Sequence, residues 1–201
     1  MFKLICKHAA KHARKAITST LLAAGVLAAA NPAVATTLGF SPAAGSVAVG
    51  ASVAVDVRIS DLAAGADLGA FDFNVLFNSG VLSLTGYTLG AALGDLSAFE
   101  ALDVSLGKGA GGVFNLAEIS LLSDLALQQD SFTLATLYFT AVAAGSSALS
   151  LDGVVLAGAF GNAVAADLGG AAVSAVPEPQ ALLLFMSGLA LLGAVRRRRK
   201  Q

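Results

Sequence analysis

The sequence predicts an all-β domain of eight or nine antiparallel strands packed as two sheets, placed between two apolar segments with basic flanks. Segments that alternate apolar and polar residues recur along residues 36–176, and a period of two is that of a half-buried strand. No long stretch of this region has the 3.6-residue period of an amphipathic helix. The region also holds 19 of the 22 glycines, which indicates many turns.

The two clearest strands are residues 52–59 and 70–78, in which every second residue is apolar. The apolar faces consist of Val53, Val55, Val57 and Ile59 in the first strand and of Phe71, Phe73, Val75 and Phe77 in the second. A turn is predicted at residues 78–80, and residues 89–102 suit a loop or a short helix. The remaining predicted strands are residues 81–88, 103–106, 113–120, 132–142, 149–156 and 171–176, with a glycine-rich hairpin loop at 107–112.

Charge is distributed unevenly along the 201 residues, of which 56% are hydrophobic and 12% charged, with a net charge of −1. Ten of the twelve bases lie in residues 1–35 and 177–201. The middle keeps only Arg58 and Lys108 against twelve acids, a net charge of −10. High hydrophobicity excludes a disordered chain, and the absence of a basic balance argues against nucleic-acid binding.

The N-terminus has the organisation of a secretory signal peptide, predicted over residues 1–35. Five basic residues precede an apolar stretch at residues 16–30, and an Asn-Pro pair then ends any helix. The triplet Ala-Val-Ala at residues 33–35 is a small-x-small site, so we expect signal peptidase to cut between Ala35 and Thr36. A short anchor that is never cut is the alternative. Cys6 and both histidines would leave with the peptide.

The C-terminal segment, residues 177–201, has three parts in a fixed order. Pro177, Glu178 and Pro179 precede an apolar run at residues 181–195. The run ends in a basic cluster, formed by Arg196, Arg197, Arg198, Arg199 and Lys200. As a helix the run spans about 22 Å, which is less than the ~30 Å hydrocarbon core of a bilayer. Arginine side chains can extend to the headgroups and make up part of the difference. The run predicts one transmembrane helix with a cytoplasmic tail; a buried core helix is the alternative.

This order of parts resembles the PEP-CTERM sorting signal. The resemblance implies recognition by an exosortase, a membrane peptidase of Gram-negative bacteria, after transient anchoring in the inner membrane. Cleavage would fall near the Pro-Glu-Pro motif. The resemblance also implies a setting in which extracellular polysaccharide, as in a biofilm, is made.

The middle region resembles the cohesin domain. Residues 68–84 read LGAFDFNVLFNSGVLSL, residues 113–122 read VFNLAEISLL, and residues 132–151 read FTLATLYFTAVAAGSSALSL. The sequence departs from the family pattern where Phe77 replaces a tyrosine and residues 78–80 replace an Asp-Pro pair. The resemblance implies a nine-stranded jelly-roll sandwich, a fold shared with some carbohydrate-binding modules. Cohesins bind dockerin modules in cellulose-degrading systems, but nothing in this sequence points to a dockerin.

The chain after residue 35 has no histidine, cysteine or tryptophan. Their absence excludes Ser-His-Asp and Cys-His catalysis and histidine-based metal sites. Asp95, Glu100 and Asp103 are weak candidates for a calcium site or, as a pair, for glycoside hydrolysis, and solvated surface acids are the favoured interpretation. We expect no cofactor.

These observations predict a non-enzymatic exported protein of the cell surface or extracellular matrix. Its sandwich would present a sheet face or an edge to a protein partner. A carbohydrate-binding module of the same architecture is the main alternative, with Phe99 and Phe160 as the candidates for stacking on a sugar. A hydrolase that uses an acidic pair is the third hypothesis.

Overall fold

Two β-sheets packed face to face make up the described part of the chain. The structure, a computed structural model, describes residues 35–63 and 65–177, which belong to the compact unit Val34–Gln201. The elements, in chain order, are β1 (Thr37–Ser41), β2 (Ala44–Ala48), β3 (Ser52–Ser60), β4 (Ala70–Leu76), β5 (Leu82–Leu89), the 3₁₀ turn η1 (Leu96–Ala98), β6 (Ala101–Asp103), β7 (Gly107–Lys108), β8 (Val113–Ser120), β9 (Phe132–Ala141), β10 (Gly145–Ala157), β11 (Asp167–Leu168) and β12 (Ala171–Val176).

The first sheet has the strand order β11-β1-β3-β9-β5, and the second sheet has the order β2-β12-β10-β4-β8-β6, with β7 beside β8. Neighbours are antiparallel, as predicted, except that β1 pairs with β11 and β2 with β12 in parallel. The prediction of a wholly antiparallel sandwich is therefore wrong at these two pairs. Alternation along a strand shows which side is buried, but it carries no information on the neighbour or its direction.

A β-bulge in β9 explains how three unevenly spaced residues of that strand all enter the core. Val57 pairs with Ala135 and Arg58 with Thr133, so Leu134 is an extra residue without an opposite partner. The bulge shifts the alternation by one residue. Leu134, Leu137 and Phe139, at most 1% exposed, therefore all lie between the sheets, as predicted.

The two ends of the described chain leave the sandwich at opposite ends. At one end, Thr37 pairs with Ser60, and the Thr36 hydroxyl donates to the Asp61 carbonyl at 3.1 Å. At the other end, the carbonyl of Val176 accepts from the Val49 amide at 2.9 Å. The predicted sorting segment therefore begins at the end of the sandwich remote from the predicted signal-peptide junction.

The two predicted apolar helices belong to the terminal segments of the chain. The signal segment before Ala35 and the run at residues 181–195 lie outside the described residues. Within residues 35–63 and 65–177, no helix has the length and apolar character to cross a membrane.

Gly90 is a position where any side chain would collide with the backbone of β9. A Cβ there would lie 2.0 Å from the Thr133 carbonyl oxygen, whereas a Cβ at Gly86 of β5 would have no atom within 4 Å. We expect Gly90→Ala to lower the free energy of unfolding by about 2–4 kcal/mol, because the backbone must shift. Gly86→Ala should change it by less than about 1 kcal/mol. Denaturant unfolding followed by circular dichroism compares them; equal effects would contradict this contact.

Candidate functional site

The outward side of β6, β8, β4 and β10 in the second sheet carries a row of aligned side chains. Leu102 of β6 lies opposite Ile119 of β8, which lies opposite Ala70 of β4. Ala70 in turn lies opposite Ala157 of β10. Residues directly opposite each other in a sheet point to the same side, so these four side chains form one continuous apolar row. We call this side of the sheet the outer face.

Large apolar side chains on the outer face are left in contact with solvent. Leu102 is 46% exposed, Ile119 43% and Val155 61%, and Val104 just beyond β6 is 39% exposed. Val155 points outward because β10 carries an extra residue between its pairings with Asn74 and Asp72, where Gly153 has a φ of +62°. Exposed apolar side chains on three strands, β6, β8 and β10, joined through the half-buried Ala70 of β4, are typical of a binding surface.

A polar network adjoins the apolar row on the outer face. The Asn115 side-chain amide donates to Asp72 Oδ1 at 2.7 Å and to Asn74 Oδ1 at 3.3 Å. Asn115 Oδ1 accepts from the Leu106 backbone amide at 2.9 Å. These contacts fix the side chain of Asp72, and Asp152 of β10, opposite Asn74, adds a second, exposed carboxylate to the face. The face can therefore bury apolar groups of a partner and accept hydrogen bonds from it.

The outward side of the first sheet is different in character. The Thr136 hydroxyl donates to Asp56 at 2.7 Å, and the hydroxyls of Ser52 and Thr140 lie 3.3 Å apart. Tyr138, at 40% exposure, is the large apolar side chain on this side of β9. Only the second sheet presents an apolar row in the described part of the chain.

Asp95 and Glu100, two of the predicted site acids, hold the turn at η1 together. Asp95 Oδ1 accepts from the Ser97 amide at 2.8 Å and from its hydroxyl at 2.7 Å. These hydrogen bonds lower the pKa of Asp95 below its ordinary value. Glu100 Oε2 accepts from the Asp95 amide at 3.0 Å. Asp95 Oδ1 and Glu100 Oε2 therefore stabilise the loop through hydrogen bonds within it.

Asp103, the third predicted acid, connects the two sheets at their open side, where the edge strands β5 and β6 lie. Its Oδ2 accepts from the Tyr87 hydroxyl of β5 at 2.7 Å, and its Oδ1 from the Ser105 amide at 3.0 Å. Partial burial acts to raise the pKa of Asp103, but the hydrogen bonds from Ser105 and Tyr87 outweigh it, so the pKa lies below its usual value. Within residues 35–63 and 65–177, no three His, Cys, Asp or Glu side chains converge as metal ligands. The predicted set of three acids is thus not brought together.

Glu118 is a buried acid that the sequence prediction did not single out. It is 0% exposed on the inner side of β8, and neither carboxyl oxygen has a hydrogen-bond partner. Burial raises its pKa to about 7, with a further contribution from the negative charge of Asp103. Alternation could have found it, because Phe114, Leu116 and Glu118 share the buried side of β8.

Phe99 and Phe160, the candidates for stacking on a sugar, both point into solvent. Phe99 is 80% exposed and Phe160 89% exposed. Phe99 follows η1 in a left-handed conformation with a φ of 58°, which is uncommon for a residue with a large side chain. The hydrogen bonds of Asp95 and Glu100 hold this turn, so Phe99 is presented on an ordered loop.

The residues predicted for processing lie at the borders of the described chain. Ala35 is exposed and Thr36 is 7% exposed beside β1. Pro177 is exposed just after β12, whereas Glu178 and Pro179 and the basic residues 196–200 lie outside the described residues. The junction at residues 35 and 36 therefore stays a prediction.

Comparison with known families identifies the C-terminal segment. Residues 175–200 match the PEP-CTERM protein-sorting motif. The chain carries a PEP-CTERM sorting motif. The motif implies export and processing by an exosortase, as the sequence predicted. It covers only the end of the chain and says nothing of what the sandwich binds.

The sandwich resembles solved cohesin structures. The sixth cohesin of scaffoldin B from Acetivibrio cellulolyticus, solved in complex with a Cel5 dockerin, has a TM-score of 0.58 at 18% identity and covers 71% of this chain and 100% of its own. A non-cellulosomal cohesin from Archaeoglobus fulgidus has a TM-score of 0.57 at 17% identity, and the match covers 74% of this chain and 96% of the cohesin. A type II cohesin from Acetivibrio cellulolyticus has a TM-score of 0.59 at 16% identity, and the match covers 70% of this chain and 95% of the cohesin. No curated protein matches the chain. The cohesin-like β-sandwich fold is thus confirmed.

Proposed function

We propose that this protein is an exported, exosortase-processed surface or matrix protein whose sandwich binds another protein through the outer face. The observation that carries the proposal is the apolar row of Leu102 and Ile119, extended by Val155. Removing such side chains from water supplies binding energy of about 25 cal/mol per Å² buried. The fixed Asn115 and Asp72 beside the row would select a partner with matching donors.

The fold similarity supports a binding role. One of the similar cohesins was solved in complex with a dockerin. At 18% identity the similarity does not carry over partner identity, so a dockerin-like partner is one hypothesis among protein partners. The two sheets of this chain differ in the surface that they present, which favours the outer face over the polar side of the first sheet.

The location proposed is the exterior of a Gram-negative bacterium. The matched PEP-CTERM motif begins at Ala175, within the last two residues of β12, so the sandwich ends directly before the Pro-Glu-Pro sequence. A transient anchor at residues 181–195 in the inner membrane would hold the folded domain outside until the exosortase cuts near Pro177, Glu178 and Pro179. The protein would then pass to the cell surface or to an exopolysaccharide matrix.

Binding of matrix polysaccharide is the second candidate function, because Phe99 is displayed on an ordered turn at 80% exposure. A hydrolase using Asp95, Glu100 or Asp103 has no comparable support, since the first two carboxylates are engaged within their own loop.

A retention experiment separates the two candidates. The exported protein is incubated with polysaccharide isolated from the host matrix and, separately, with the proteins of that matrix. We expect retention by the protein fraction, lost in Ile119→Asp and kept in Phe99→Ala. Retention by polysaccharide that is lost in Phe99→Ala would instead support the carbohydrate-binding module.

A further inference from the structure

The carboxyl group of Glu118 is buried in a position that the fold itself does not satisfy. Glu118 is 0% exposed, and both its oxygens lack a hydrogen-bond partner. An unsatisfied buried carboxyl costs several kcal/mol in general, so such a group in a native fold needs an explanation, and a bound ion is one. Its neighbour on β4 is Phe71, whose side chain has no polar atom.

A second acid stands directly beside it. Asp103 of β6 is opposite Glu118 in the register. The Val104 amide donates to the Ala117 carbonyl at 3.0 Å, which makes the adjacent pair Asp103 and Glu118 a non-hydrogen-bonded pair. The Cα atoms of such pairs are about 4.5 Å apart and their side chains are close. Like charges directly opposite each other in a sheet are destabilising, unless a cation lies between them.

Further oxygen atoms surround the pair on its open side. The Tyr87 hydroxyl lies 2.7 Å from Asp103 Oδ2. The Ser105 hydroxyl, whose hydrogen bonding helps to lower the pKa of Asp103, is fixed by contacts of 3.0 and 3.2 Å with the backbone of Ala117. Carboxylate and hydroxyl oxygens are hard ligands, which suit Ca²⁺, and Ca²⁺ takes water for its remaining positions. The exposure of Asp103 gives an ion access from solvent.

We propose that Glu118 and Asp103 bind a calcium ion at the open side of the sandwich between β5 and β6. Glu118 ligates it from the buried side and Asp103 from the solvent side, with the hydroxyls of Tyr87 and Ser105 as further oxygen donors. The ion neutralises two opposed carboxylates and joins the edges of the two sheets. With two carboxylates, the site belongs in the affinity range of extracellular calcium modules, about 10⁻⁴–10⁻³ M. The proposal is independent of the partner that the outer face binds.

Thermal melting of the full chain in detergent at pH 8, followed by circular dichroism, tests the site. Calcium chloride at about 10 mM should raise the midpoint of the wild type by about 5 °C relative to EDTA. Glu100→Gln, the matched control in the η1 turn, should keep this shift, and Glu118→Gln should lose it. In EDTA we expect Glu118→Gln to have a higher melting midpoint than the wild type, because the substitution removes a buried charge. A wild type without a calcium shift, or a shift that survives Glu118→Gln, overturns the proposal.

Terbium luminescence gives a readout that does not depend on stability, so it serves if Glu118→Gln fails to fold. Terbium replaces calcium and emits when an adjacent tyrosine is excited, and the chain has two tyrosines and no tryptophan. We expect emission that calcium competes away, that Tyr87→Phe abolishes, and that Tyr138→Phe leaves intact. Asp103→Asn, on the exposed edge, should weaken terbium binding at least tenfold. Emission that depends on Tyr138, or is unaffected by Asp103→Asn, rejects the site.

Discussion

Aspartate in place of Ile119 is expected to weaken binding of the protein partner about a hundredfold or more. Ile119 lies at the centre of the apolar row, 43% exposed between Leu102 and Ala70. A partner that covers this row would bury the new carboxylate without a counter-charge. Losses of 2 kcal/mol or more are typical of such central positions, and 2.7 kcal/mol corresponds to a factor of about 100.

The matched control for this variant is Tyr138→Asp. Tyr138 has nearly the same exposure, 40%, and also lies in an interior strand, but it points outward from the first sheet. Both variants put a carboxylate on a strand, so their effects on stability should be similar. Titration calorimetry with the partner should show unchanged affinity for Tyr138→Asp. A loss of affinity equal in both variants would contradict binding through the outer face.

Replacing the five basic residues at 196–200 by serine is expected to remove nearly all of the processed protein. As a membrane span the apolar run at residues 181–195 would be short, and the cations that follow it would fix its orientation and depth. Without these cations, we expect the segment either to pass completely across the inner membrane or to fail to reach the exosortase. The measurement is the intact mass of the exported protein in the native host.

The charge-conserving variant supplies the control for the tail. Exchanging Arg196, Arg197, Arg198 and Arg199 for lysine keeps five cations at the same positions, so processing should continue. The wild-type mass should correspond to a chain that begins near Thr36 and ends near the Pro-Glu-Pro motif. A mature wild-type protein that still contains residues 181–201 would contradict exosortase cleavage.

Strong alternation of apolar and polar residues made much of the fold predictable. The prediction for residues 113–120 agrees with β8, and that for residues 171–176 agrees with β12. β1, β2, β7 and β11 were missed because they are only two to five residues long, and β7 lies within the predicted loop 107–112. β1 does alternate, with Leu38 and Phe40 buried, but over too few residues to stand out. The predicted strand at residues 103–106 lies instead at Ala101–Asp103, and η1 takes the short-helix alternative within residues 89–102.

The candidate sites depended on register, which the sequence does not supply. Leu102 and Ile119 are 17 positions apart in the chain, and only the pairing of β6 with β8 makes them neighbours. The same pairing sets Asp103 against Glu118. The sequence prediction grouped Asp103 with Asp95 and Glu100 because they are close along the chain. The inward position of Glu118 was visible in the alternation of β8, but its acidic neighbour was not.

Site-specific photo-cross-linking in the exported protein tests the binding role of the outer face most directly. A photoreactive residue is introduced at position 119 and, as the control, at position 138, and the adducts formed in the native host are identified by mass spectrometry. We predict one predominant protein adduct from position 119 and none from position 138. Equal adducts from both positions, or adducts from position 119 that contain carbohydrate alone, would contradict a protein-binding outer face.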